Sequence, residues 1–230
     1  MFEASVDPTT LPRRTQIIII AAIVAGALFL VGRAEDLFWL RMVTKPIPVL
    51  LMALWLFTLP EKGLFQWATI IGLLLSATGD VLLEASPDTF VFGLVAFLLA
   101  HIAYIVAFTR DSRQLFLGRA ALSFGFGVVM FAILYLAGDL GSMTIPVLLY
   151  VVVICTMLWR AASRVGVPGI PTRSANTGLW GALLFTFSDS LLALNRFAFT
   201  IPYAGYIVIL TYWLGQSDIA LSAGWQRQDR

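Results

Sequence analysis

The feature that most constrains this chain is a succession of apolar stretches separated by short links, each about as long as the ~20 residues that cross a bilayer as a helix. In hydrocarbon every backbone N–H and C=O must be satisfied within the protein, so only helices or a closed barrel can span it. The stretches are continuous rather than alternating, which predicts helices. They fall at roughly 15–31, 45–59, 63–83, 89–109, 117–137, 144–160, 174–194 and 201–221. The expected fold class is therefore all-α: one polytopic membrane helical bundle of about eight transmembrane helices. Residues 1–14 and 222–230 would be tails, and 15–221 the bundle. Turn residues punctuate the spans: Pro60, Pro87, Gly138 with Gly141, the Gly166 to Pro171 loop, and Pro202. No link is long enough to hold a soluble domain.

Composition agrees. Apolar residues make up 60% of the chain and charged residues 12%, with a mean hydropathy of +0.90, against ~45–50% and ~25% in soluble domains. The net charge of +2 is too small to indicate a nucleic-acid partner. Cys155 is the single cysteine; it excludes an intrachain disulfide and reads as packing. Arg13 and Arg14 ahead of an apolar run imitate a signal peptide, but Arg33 occupies the place of small cleavage-site residues. Seven further spans follow, so this run is the first helix.

Lys and Arg divide unevenly between the two sides. The N-terminal tail, the even-numbered loops and the C-terminal tail hold 11, and the odd-numbered loops hold 4. By the positive-inside rule both termini are expected in the cytoplasm, in a bacterial inner membrane. An ungapped match between Gly72 to Leu83 and Gly181 to Leu192 pairs Asp80 with Asp189 and is consistent with two four-helix halves, a four-plus-four internal repeat.

An ionisable side chain inside a span costs a few kcal/mol and normally marks a functional site. Asp80 and Asp189 are the clearest cases. Ser76 and Gly72 share the face of Asp80, and Thr186 and Ala182 that of Asp189. His101, the one histidine, is followed at i+3 by Tyr104. Tyr212 and Gln216, four apart on the last helix, either line a polar cavity or bond to a neighbouring helix. Lys45, before Pro46, either snorkels to the interface or neutralises a carboxylate or phosphate. Asp218 lies near the cytoplasmic end of the last span and ranks below the other two acids. There is no paired Cys/His spacing for a metal, no Gly-rich phosphate loop and no nucleophile elbow. No cofactor or metal is expected. Two intramembrane carboxyls remain, suited to acid and base catalysis, to a proton-coupled transporter or to an aspartyl protease. Ala77, where that protease pattern favours glycine, weighs against the last.

Several of these residues recur in a recognisable order: Lys45-Pro46, Gly79-Asp80, Phe97 with His101 and Tyr104, Gly181-Ala182 with Phe185 and Ser188-Asp189, Asn195 with Phe197, and Thr211-Tyr212 with Gln216. Across residues 45–224 this set resembles the YhhN/TMEM86 family. The resemblance implies an eight-helix lysoplasmalogenase, a hydrolase that cleaves the vinyl ether bond of a lysoplasmalogen to a fatty aldehyde and a glycerophospho-base. It implies Asp80 and Asp189 as the leading catalytic candidates; Lys45, Ser76, His101, Tyr104, Ser188, Asn195, Tyr212 and Gln216 are expected as substrate-binding or supporting residues. Asp218 has no place in the pattern. The expected partner is a lysophospholipid or other enol ether lipid, besides membrane lipids. The chemistry suits two carboxyls: protonation of the vinyl β-carbon gives an oxocarbenium ion, which water captures. The competing expectation is a proton-coupled transporter or lipid-binding protein.

Overall fold

The computed structural model describes residues 12–226; of the two expected tails, residues 1–11 and 227–230 lie outside the described residues. The helices are α1 (Arg13–Ala34), α2 (Phe38–Thr44), α3 (Ile47–Thr58), α4 (Leu64–Ala85), α5 (Phe90–Asp111), α6 (Leu117–Ala137), α7 (Thr144–Ala162), α8 (Thr172–Phe197) and α9 (Ala204–Trp225). Among the described residues there is no strand.

The second span differs from the sequence expectation. It starts at Phe38 rather than Lys45, because α2 and α3 are one span, 38–58, interrupted in the middle. The interruption is at Lys45-Pro46: Pro46 has no N–H to give the turn before it, and its ring crowds that turn. Both residues keep right-handed helical dihedrals, so the span kinks without reversing. The last helix starts at Ala204 rather than 201, after Tyr203 takes a left-handed turn at φ 59°. Among the described residues, seven spans, α1 to α8 with α2 and α3 joined, are long and apolar enough to cross a membrane. The eighth, α9, has 22 residues, ~33 Å, and its apolar run is diluted by Gln216 and Ser217, followed by Asp218.

Large apolar side chains cover the outside, among them Ile20, Leu122, Val128, Leu136, Ile145 and Trp180, all exposed. Such a surface is stable only against lipid, and the chain is an integral, multi-pass membrane protein. Without a hydrophobic drive between helices, close packing holds the bundle together. The most extensive helix pairs are α8 with α9 and α4 with α5. At the first, Gly181 and Gly215 face each other; a Cβ on Gly181 would come within 2.7 Å of the Gly215 carbonyl oxygen. By contrast α6 buries only Ser123, Gly127 and Leu134. It is tied to α7 where the Ser123 hydroxyl donates to the Cys155 carbonyl at 2.9 Å, and Cys155 is a buried packing residue.

The end of the bundle where α4, α6 and α8 start is here termed the lower end, and that where they finish the upper end. The lower end is locked by Arg164, which has no exposed surface. Its guanidinium donates to Asp111 at 2.7 Å, to the Ser174 carbonyl at 3.1 Å and hydroxyl at 2.6 Å, and to the Ser222 hydroxyl at 2.8 Å. It also stacks on Phe65 and Phe108. Arg160 likewise donates to the Thr109 hydroxyl and to the carbonyls of Gln114 and Ser112. These arginines, which the sequence presents as topology signals, hold the ends of α5, α7, α8 and α9 together.

Candidate active site

The Gly79-Asp80 pair is placed by close contact between α4 and α5. A Cβ at Gly79 would approach the Phe97 ring to 2.6 Å, so only glycine lets that ring lie flat on α4. Asp80, one residue on, is 2% exposed and accepts a hydrogen bond from the Tyr212 hydroxyl at 2.7 Å. One turn along α9, Gln216 accepts from the Tyr104 hydroxyl at 2.7 Å. The i, i+4 spacing of Tyr212 and Gln216 therefore lets one helix reach both α4 and α5. Ser76, one turn before Asp80 on α4, is fully buried.

Asp189 occupies a second, different environment. Its Oδ2 accepts from the Tyr150 hydroxyl of α7 at 2.5 Å and lies 3.7 Å from His101 Nε2. The other ring nitrogen, Nδ1, is 2.6 Å from the Phe97 carbonyl. A carbonyl only accepts, so Nδ1 carries the proton. Nε2 is thereby left facing Asp189 with no hydrogen bond of its own. Phe185, fully buried, stands between the two carboxyl environments. Its ring meets His101 at 4.6 Å between centroids, Tyr212 at 5.3 Å, Phe97 at 6.1 Å and Tyr104 at 6.4 Å. Asp80 lies on α4 and Asp189 on α8. Each is ~24–26 Å along its helix from the lower end, by the rise per residue, and neither points at lipid.

Asp189 alone of the two opens on a cavity. This space, about 70 Å³, lies between α5, α6, α7 and α8 at the upper half of the bundle. Its wall is apolar, with Phe97, Leu134, Val151 and Ile154 prominent; Asp189 and Arg196 are its charged residues. A mostly apolar lining with a few convergent polar groups is the character of a small-molecule site.

The remaining sequence candidates lie elsewhere. Lys45 pairs with Glu84 at 3.1 Å, and Glu84 also takes Arg41 at 2.7 Å, so the lysine is engaged by a carboxylate and stands off the cavity. The Ser188 hydroxyl donates to the Val208 carbonyl at 2.9 Å, tying α8 to α9. Asn195 accepts from the Ile201 N–H at 2.9 Å and shapes the link between those helices. Asp218 is half-buried on α9, away from the cavity wall. Tyr150, Glu84 and Arg196 are absent from the sequence reading. Glu84 had a signal, its i+4 spacing from Asp80; Tyr150 sits in a uniform apolar run and had none.

Fold and site together define a class: a polytopic helical membrane protein with two buried carboxyls, each held by a tyrosine hydroxyl, one of them opening on an apolar cavity. Within that class the chain belongs to the YhhN family, whose family model matches residues 40–223. It is similar to Lysoplasmalogenase TMEM86B of Rattus norvegicus, 34% identical over 185 residues that cover 80% of this chain and 73% of that protein. Lysoplasmalogenase TMEM86A of Homo sapiens is 34% identical over 195 residues, covering 80% and 78%. A Lysoplasmalogenase of Mycobacterium bovis is 38% identical over 137 residues, covering 54% of this chain and 48% of that protein. No solved structure matches the chain.

Proposed function

We propose that this protein is a membrane hydrolase that cleaves the vinyl ether bond of lysoplasmalogen-type lysolipids. One observation carries the chemistry: Asp189 is the acid on the wall of an apolar cavity, with the His101 Nε2 lone pair 3.7 Å away. The names of its relatives support the substrate class.

In this reading Asp189 enters the reaction as the carboxylic acid and gives its proton to the vinyl β-carbon. The double-bond electrons form the new C–H bond, and the ether oxygen shares the positive charge left on the α-carbon. Water adds there, losing a proton to the Asp189 carboxylate, which is restored as the acid. As the hemiacetal breaks its bond to the glycerol oxygen, Asp189 gives that oxygen a proton and takes the hemiacetal's hydroxyl proton in return, leaving an aldehyde and a glycerophospho-base. His101, buried behind Asp189, holds the carboxyl in place. A positioned acid is typically worth ~10²–10⁴ in rate. Asp80, sealed behind Tyr212, does not touch the substrate; as an anion in a water-poor site it stabilises the oxocarbenium ion through its field. Tyr150 positions Asp189.

The test is aldehyde release by purified protein in detergent from an alkenyl lysophospholipid. Stoichiometric aldehyde and glycerophospho-base are expected. If no vinyl ether lipid is turned over, the hydrolase reading gives way to a transporter or lipid-binding one, since a transporter changes nothing covalently.

We also propose that both termini face the cytoplasm in a bacterial inner membrane, from the charge asymmetry of the loops. Reporters fused after Arg230 and inserted at Asp139 should then report opposite sides of the membrane. Reports from the same side would reject the eight-span orientation.

A further inference from the structure

Two cavities follow one another along α8, and a single cation stands over the upper one. The first holds Asp189 and ends in Met130 of α6, Ile154 of α7 and Ser190 of α8. One helical turn lower on each of those helices lie Phe126, Leu158 and Thr186, which line a second, mostly apolar groove of about 380 Å³ with Arg119 of α6 at its lower end. That groove runs on to Leu179, ~15 Å below Asp189 by the helical rise. One leaflet of hydrocarbon has the same depth, half of ~30 Å. Above Asp189, on the same face of α8 two turns later, stands Arg196. Its guanidinium is stacked 4.9 Å over the Phe90 ring, and both residues line the upper cavity.

The other cations of the upper end are occupied or turned elsewhere. Arg41 and Lys45 share Glu84, and Arg33 stacks on Tyr206, outside the cavity wall. Among the described residues Arg196 forms no ion pair. An exposed arginine at a helix C-terminus also complements the helix dipole, but that role does not require it to be held by an aromatic ring over a cavity.

We propose that Arg196 binds the phosphate of the lysolipid, whose chain runs from Asp189 down the groove between α6, α7 and α8. The inference rests on the hydrolase reading for its ligand class and adds the headgroup site. Asp189 and Arg196 are seven residues apart, ~10 Å along the axis, a gap that an extended glycerophosphate arm with a charge-assisted hydrogen bond at its phosphate end covers. The planar guanidinium can take two phosphate oxygens at once. The amine of the headgroup would lie above it, outside the protein.

Binding tests this independently of turnover. The probes are an alkyl-ether lysophosphoethanolamine, whose saturated ether cannot be cleaved by this chemistry, and the alkylglycerol of the same chain without phosphate. Both are titrated against full-length wild type, Arg196→Gln and Arg196→Lys in detergent. Arg196→Gln is expected to weaken the phosphate lipid about 10- to 100-fold, the range of a hydrogen bond between charged groups, and the alkylglycerol less than about threefold. Arg196→Lys should recover part of the loss, since a lysine still offers a point charge. Equal weakening of both lipids, or no weakening of either, overturns the assignment. Absence of aldehyde release in the preceding assay would reject the hydrolysis and leave this result to stand or fall alone.

Discussion

Replacing Asp189 with asparagine is expected to abolish aldehyde release, and Asp80→Asn to reduce it nearly as far. Asparagine keeps the size of aspartate and an oxygen that accepts from the same tyrosine, Tyr150 in one case and Tyr212 in the other. What it lacks is the acidic proton and the negative charge. For Asp189→Asn the loss is that of general acid catalysis, ~10²–10⁴ in kcat. Asp80 is sealed from the cavity, so its loss is that of a preorganised charge, roughly 10²–10³ by analogy with a removed oxyanion-hole donor. Neither change should lower the melting temperature much, because a neutral amide is easier to bury than a carboxylate. The measurement is aldehyde release by wild type and both variants in one detergent, with melting curves alongside. If wild type is active and both variants keep more than about a tenth of its rate, far above what lost acid catalysis allows, the two-aspartate mechanism is wrong.

The largest loss of stability is expected from the lower end of the bundle. Arg164→Met removes a buried guanidinium that donates to Asp111, Ser174 and Ser222 and leaves Asp111 without its cation. Removing one partner of a buried pair costs about 3–5 kcal/mol, mostly because the other charge stays buried alone. For a chain of this size that corresponds to a fall of ~6–20 °C in melting temperature. The double variant Arg164→Met with Asp111→Asn should recover part of the loss, since it removes the stranded charge. A shift of less than about 2 °C in the single variant would mean that the guanidinium is not structural. The functional site lies more than half a membrane thickness away, so any activity surviving at low temperature should keep its substrate preference.

The spans were legible because bilayer thickness imposes a length and lipid imposes composition, and both constraints act on every residue of a helix. The two departures arise where a local effect competes. Pro46 splits the second span without ending it, so an apolar count started on its far side misses Phe38 to Thr44. In α9 the polar residues Gln216 and Ser217 face inward or between helices, which lowers its apolarity while it spans the same distance. At the site, Asp80, Asp189, His101, Tyr104, Tyr212 and Gln216 stood out because polar groups are rare in such helices. Tyr150 did not, since a tyrosine in a span reads as packing until its hydroxyl is seen against Asp189. Nor does sequence show that Phe185 divides the two carboxyl environments, because that depends on how four aromatic rings from two other helices, α5 and α9, converge on it. Lys45 shows the reverse: its charge was visible, but its partner Glu84 lies on another helix.

The slight attachment of α6 ties catalysis to the mechanics of the surrounding bilayer. This helix buries three residues yet lines both cavities on one side, so the wall between these spaces and the lipid is the one least held by protein packing. A membrane with tightly ordered saturated chains presses such a wall inward, and one with loose unsaturated chains lets it yield. Turnover in nanodiscs is therefore expected to rise with chain disorder at fixed substrate concentration, and a cysteine-scanned α6 should show its fastest labelling in the same lipids. A rate independent of lipid order would mean that substrate enters elsewhere. The protein would then be an enzyme merely housed in a membrane, whereas a rate that follows lipid order would make it one whose throughput the membrane sets.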